Sequence, residues 1–170
     1  MSAFPEIYRE IQHELKEREG VVFVEKLVGG MKIAPIVLYP ALTEVEVGSI
    51  ESNLGCSLPA EYRKFLLNYN GATLHDALNI WGITRVYDKE EGVEQYFDII
   101  KLQADCRRGF EDIPQDLIAV ASDHLDIRYF LNPRNGSVTS YDTEFPDDPE
   151  NLGSFTEFVT DYFLEYPSAV

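Results

Sequence analysis

The run from Ser57 to Ile83, SLPAEYRKFLLNYNGATLHDALNIWGI, constrains the fold more than any other part of the chain. Leu58-Pro59 opens a helix: proline is tolerated in a first turn, where its missing N–H has no intrahelical partner to lose, and Ser57 stands by as a cap. Tyr62, Phe65, Leu66 and Tyr69 then recur at three- and four-residue steps and lay one apolar stripe along that helix. Asn70-Gly71 predicts its end, because both residue types accept the left-handed backbone of a helix exit. Leu78, Ile80, Trp81 and Ile83 follow as an apolar run, read as a strand buried against the helix.

The flanking segments supply the rest of the architecture. Thr43-Glu44-Val45-Glu46 is a capping box, with Val47, Ile50 and Leu54 as the buried face of its helix, Gly55 as its exit and Cys56 as a short link onward. Upstream, Pro5 to Glu19 reads as a helix on Ile7, Ile11 and Leu15, stopped by Gly20. Val21 to Val28 reads as a strand, and Ile33 to Tyr39 as another that Pro35 confines to an edge or a loop. Downstream, Thr84 to Tyr87 continues or pairs with the Trp81 strand, and a helix is expected from Val93 to Arg108 with Tyr96, Ile100 and Ala104, flanked by Ile99 and Cys106, as its apolar side. Leu117 to Ala121 has strand length; Arg128 to Leu131 and Ser137 to Tyr141 form an antiparallel hairpin across Asn132-Pro133-Arg134-Asn135-Gly136. After an acid- and proline-rich loop from Asp142 to Gly153, a second capping box at Ser154 and Glu157 starts a helix carrying Phe158, Val159, Tyr162 and Phe163 inward.

Leu-Pro, two residues, Tyr, two residues, Phe-Leu and then Asn-Gly after a short gap resembles the signature of the SUKH superfamily. The resemblance runs from Thr43 to about Tyr166, is most specific from Leu58 to Gly71, and is loose before residue 43. It implies one α+β domain spanning residues 1–170, a mostly antiparallel sheet packed against several helices. Bacterial members of the superfamily are mostly immunity proteins against secreted or contact-delivered toxins, so the implied role is binding and inhibiting a toxin domain. Eukaryotic relatives resemble regulatory scaffolds, which is the alternative binding role. The chain departs from its relatives where glycines are frequent, reading Asp123-His124-Leu125-Asp126 at one place and Ala72 after Asn-Gly at another.

Charge bears on the partner. The net charge is −16, and from Glu111 onward thirteen acids face two bases, Arg128 and Arg134. Such a field repels nucleic acid and anionic membrane and speeds encounter with a basic partner, as the phosphate-binding groove of a nuclease toxin must be. The start of the chain has no basic stretch followed by a long apolar one, and the longest apolar run is broken by Pro35 and Pro40, so a cytoplasmic protein is expected. Cys56 and Cys106 share no metal-ligand spacing and read as two small buried thiols in a reducing compartment.

No phosphate-binding glycine loop, nucleophile elbow or His-Glu-x-x-His helix occurs. Asp123-His124-x-Asp126 is the sharpest candidate for metal or acid/base chemistry, with Asp142 within reach if the hairpin brings strand ends together. It lacks a second histidine at ligand spacing, so a small metal-dependent enzyme is the less favoured reading. No catalytic residue, metal or cofactor is assigned. The candidate partner surface comprises Asp123, Asp126, Tyr141, Asp142, Glu144, Phe145, Asp147, Asp148 and Glu150, with Tyr141 and Phe145 as exposed aromatic anchors within the charge. A homodimer is left open.

Overall fold

The computed structural model describes residues 13–18, 21–28, 31–75, 77–83, 85–88, 93–95, 97–109, 113–142, 144–145 and 147–165. Among them the order is β1 (His13–Arg18), β2 (Val21–Val28), β3 (Met31–Pro40), α1 (Glu44–Leu54), α2 (Ala60–Leu66), β4 (Tyr69–Leu74), β5 (Leu78–Ile80), β6 (Arg85–Asp88) and β7 (Val93–Gln95). Then follow α3 (Ile99–Gly109), β8 (Ile118–Asp123), β9 (Arg128–Leu131), β10 (Ser137–Tyr141), β11 (Glu150–Ser154) and α4 (Phe155–Glu165). Nine strands make one sheet in the order β1-β2-β3-β4-β5-β8-β9-β10-β11, every neighbouring pair antiparallel, while β6 and β7 pair separately. This is the α+β architecture expected from the sequence.

Alternation along β9 shows how the sheet is covered. Tyr129 and Leu131 enter the main core with Tyr62, Phe65 and Leu66 of α2 and Phe155, Phe158 and Val159 of α4. Phe130 between them joins a second core with Leu102 and Cys106 of α3, as strand side chains that point to opposite faces must. Both capping boxes form: Thr43 and Glu46 exchange bonds at the start of α1, as do Ser154 and Glu157 at α4.

Several expectations are corrected. His13–Arg18 is a strand paired with β2, where a first helix was expected; Ile7, Ile11 and Gly20 lie outside the described residues. Pro35 sits inside an internal strand, with β2 on one side of β3 and β4 on the other. Val24 pairs with Ile36 and Lys26 with Ile33, so β3 carries one extra residue at Ala34-Pro35. That bulge spares proline the ladder bond it cannot donate. Ser57 caps nothing; Pro59 is the N-cap of α2, and the Leu58 N–H donates to Glu51 Oε1 at 2.9 Å. The Val93–Arg108 helix begins only at Ile99, because Asp98 Oδ1 accepts from the Ile100 and Lys101 N–H groups and so fixes the helix start. Its inward face keeps the expected Ile99 and Cys106 but is completed by Leu102 and Gln103, with Ile100 half-buried, Ala104 exposed and Tyr96 outside the described residues. Cys106 is buried, which pushes its thiol up to about 11, whereas Cys56 is half-exposed.

The largest correction is at Asn70-Gly71, which does not end a helix: α2 stops at Leu66, and both residues lie in β4. Leu38 pairs with Ala72 and Pro40 with Tyr69, which leaves one extra residue in β4, and Gly71 takes the left-handed φ of 86° there. The bulge turns Asn70, 0 % exposed, onto Ile83, to whose carbonyl its amide nitrogen donates at 2.9 Å while its oxygen accepts the Ile83 N–H at 2.7 Å. Neighbouring groups tie the same irregular segment: Trp81 N–H to the Val120 carbonyl at 2.8 Å, Tyr62 hydroxyl to the Trp81 carbonyl at 2.5 Å, and Ile99 N–H to the Gly82 carbonyl at 2.8 Å. A side chain at Gly82 would run into Asn70, its Cβ 2.8 Å from the Asn70 carbonyl carbon. Gln103 repeats the device, donating to the Leu117 carbonyl at 3.0 Å and accepting from the Ala119 N–H at 2.7 Å. Two buried carboxamides thus stand in for absent strand neighbours.

Candidate partner-binding surface

Register places the two acidic stretches side by side. Tyr141, the last residue of β10, pairs with Arg128, the first of β9, so the β8–β9 turn and the β10–β11 loop leave the sheet at the same end. Neither 124–127 nor 142–149 contains lysine or arginine. Arg128 lies 3.6 Å from Asp126 and is taken up by it.

Asp123 does not belong to the exposed set. It is 9 % exposed; its Oδ1 accepts from the Leu125 and Ile127 N–H groups at 2.9 and 3.0 Å, and its Oδ2 from the Tyr129 hydroxyl at 2.9 Å. Those bonds bend the chain through the turn, in which Asp126 takes a left-handed φ of 62°. The carboxylate the sequence offered for chemistry is the fastening of the hairpin. Tyr141 is likewise corrected: it is 8 % exposed, packed edge-on to Phe130 at 5.3 Å in the α3 core, because β10 ends with that position facing inward.

The other candidates are at the surface. Asp126, Glu144, Asp147, Asp148 and Glu150 are exposed and Asp142 is half-buried, its Oδ1 accepting from the Glu144 N–H at 2.7 Å. Glu150, expected within a loop, is the first residue of strand β11 and pairs with Ser140. Phe145 is 66 % exposed. Leu125, at the tip of the β8–β9 turn, is also 66 % exposed, and sequence reasoning missed it as an anchor. Its signal was an apolar residue enclosed by the polar turn residues His124 and Asp126. The acidic end therefore displays two large apolar side chains among carboxylates.

Beside this end, a cleft of roughly 390 Å³ opens between β9–β11 and α4. Its floor is aromatic: Tyr129 and Phe158 have ring centroids 4.8 Å apart, and Tyr162 stands edge-on to Tyr129 at 6.5 Å. Glu150 and Asp161 flank it from β11 and α4. Burial, reinforced by the Asp123 carboxylate and more weakly by Glu150, pushes the Tyr129 phenol far above its ordinary range. No group of three or more histidine, cysteine, aspartate or glutamate side chains placed to hold a metal occurs among the described residues. No helix among them is long and apolar enough to cross a membrane.

Fold and surface together define an α+β domain that fastens its sheet with buried amides and presents an acidic, apolar-studded end. The sequence profile of the SMI1 / KNR4 family (SUKH-1) matches residues 41–163, and the chain belongs to that family, one tied to toxin immunity and to SMI1-like proteins. The chain is also similar to the uncharacterized protein YnaB of Bacillus subtilis (strain 168), 26 % identical over 87 residues, which cover 51 % of this chain and 47 % of that protein. It thus spans about half the length of that curated relative.

Proposed function

We propose that this protein is an immunity protein of the bacterial cytoplasm that binds a basic toxin domain, a nuclease by preference, and inhibits it stoichiometrically without chemistry of its own. The observation that carries the reading is the acidic end, where Leu125 and Phe145 stand exposed among Asp126, Asp142, Glu144, Asp147, Asp148 and Glu150. Charge of one sign steers a basic partner, and apolar anchors supply the desolvated contacts that hold it. Family membership supports a protein partner independently of this geometry. A nuclease groove must be positive to hold phosphates, so an acidic wedge seated in or beside it excludes substrate by charge and bulk.

The test is calorimetric titration with the toxin domain encoded beside this chain, at low and high salt. Nanomolar binding that weakens with salt, with toxin activity lost at a one-to-one ratio, is the expected result. Leu125→Ala/Phe145→Ala should weaken binding by at least about tenfold, each truncated anchor costing roughly 1 kcal/mol or more. Absence of binding at either salt overturns the reading, and binding that leaves the toxin active moves the protein to a scaffold role.

A further inference from the structure

The cleft between β9–β11 and α4 has a composition that the immunity reading does not use. Tyr129 and Phe158, 5 % and 3 % exposed, close its floor, and the half-buried Tyr162 offers the accessible ring. Its two exposed carboxylates, Glu150 and Asp161, come from different elements and have no ion-pair partner among the described residues. None of the described residues lining it is basic. An aromatic face attracts a cation through its quadrupole, and a carboxylate on either side adds Coulombic attraction and hydrogen-bond acceptors. Glu150 joins the cleft to the acidic end, since it closes the β10–β11 loop that carries Phe145.

Resting on the immunity reading, we infer that this cleft receives one arginine or lysine side chain of the toxin domain, its aliphatic stem along Leu152 and Tyr162 and its charged head between Glu150 and Asp161. Arginine suits the site best, because its planar guanidinium can stack on the Tyr162 ring while donating to two carboxylates at once. The cleft then sets which basic partner is accepted, while the loop charges set how fast it arrives.

The experiment has two arms on the full chain. In the first, N-acetylarginine methylamide is titrated by NMR against the neutral citrulline analogue. Saturable shifts confined to Tyr129, Leu152, Phe158 and Tyr162, present for arginine and absent for citrulline, are expected. In the second, the toxin domain is titrated against wild type and against Glu150→Gln/Asp161→Asn, two exposed and shape-conserving changes whose fold is checked by an unchanged thermal midpoint. A loss of about ten- to hundredfold, the scale of unpairing a desolvated charge, is expected. Equal binding of both proteins overturns the assignment and leaves the immunity reading standing, and shifts with the amide alone would then mark a site for free organic cations. Failure of wild type to bind the toxin overturns the immunity reading and this inference with it.

Discussion

The segment Trp81–Ile83 and the β10–β11 loop are both irregular backbone, and they are held in opposite ways. Around Trp81–Ile83, bonds converge from α2, β4, β8 and α3, and Asn70 is wholly buried. Among the described residues, the loop's bonds from Asp142 to the Glu144 N–H and from the Asp148 N–H to the Phe145 carbonyl stay within it. The first region contains Tyr62, Asn70 and Gly71, the residues that make the family recognisable, and their work there is architectural. The second has no signature and carries the proposed contact. A family motif in this chain therefore identifies a scaffold, and function has to be sought where the motif is silent.

That contrast can be broken most severely at the scaffold. Asn70→Ala leaves the Ile83 N–H and carbonyl buried without partners and should lower stability by about 2–4 kcal/mol in chemical denaturation, with toxin affinity per folded molecule unchanged. A loss under about 1 kcal/mol would mean that the amide is not a fastening. Tyr62→Phe removes one donor to the Trp81 carbonyl and keeps the ring contacts, so a loss of about 1–2 kcal/mol is expected from the same measurement. At the other region, neutralising Asp147 and Asp148 to asparagine should move stability by no more than about 0.5 kcal/mol. It should nevertheless slow association with a basic toxin, which stopped-flow mixing would detect. The smallest effect concerns pH. Hydrogen bonds from the Ser154 backbone and hydroxyl hold the Glu157 carboxyl below its ordinary value. A depressed folded value means that its contribution is complete above the unfolded pKa and is lost as pH falls through the folded one. Glu157→Gln should therefore flatten the acid limb of the stability profile, and an unaltered limb would show that the box contributes nothing measurable.

What was legible in the sequence was local. The hairpin from Arg128 to Tyr141 and the capping boxes at Thr43 and Ser154 depend on residues a few positions apart, and they form where the residue types placed them. What failed depended on distant partners. Leu15 fits a four-residue helical step as well as a strand alternation, and pairing with β2 decides for the strand. Pro35 argues for an edge until a bulge removes the objection. The start of α3 turned on the reach of Asp98, and the role of Asn70 on Ile83. At the candidate surface, the acids were readable as composition. The burial of Tyr141 and Asp123 was not, and the cleft, assembled from β9, β10, β11 and α4, leaves no linear trace.

Asn70 stands directly before Gly71, the pairing in which a backbone nitrogen most readily attacks the side-chain carbonyl, closing a succinimide and expelling ammonia. In the folded chain both ends of that amide are engaged and the residue is sealed from water. Each global unfolding exposes it. Hydrolysis of the ring would leave an aspartate or isoaspartate whose oxygens both repel the Ile83 carbonyl, and the strand could not reseat. The fastening is thus also a clock: ageing at Asn70 should run only while the chain is unfolded, unlike at the exposed Asn135 before Gly136 in the β9–β10 turn, and a molecule aged at Asn70 does not return.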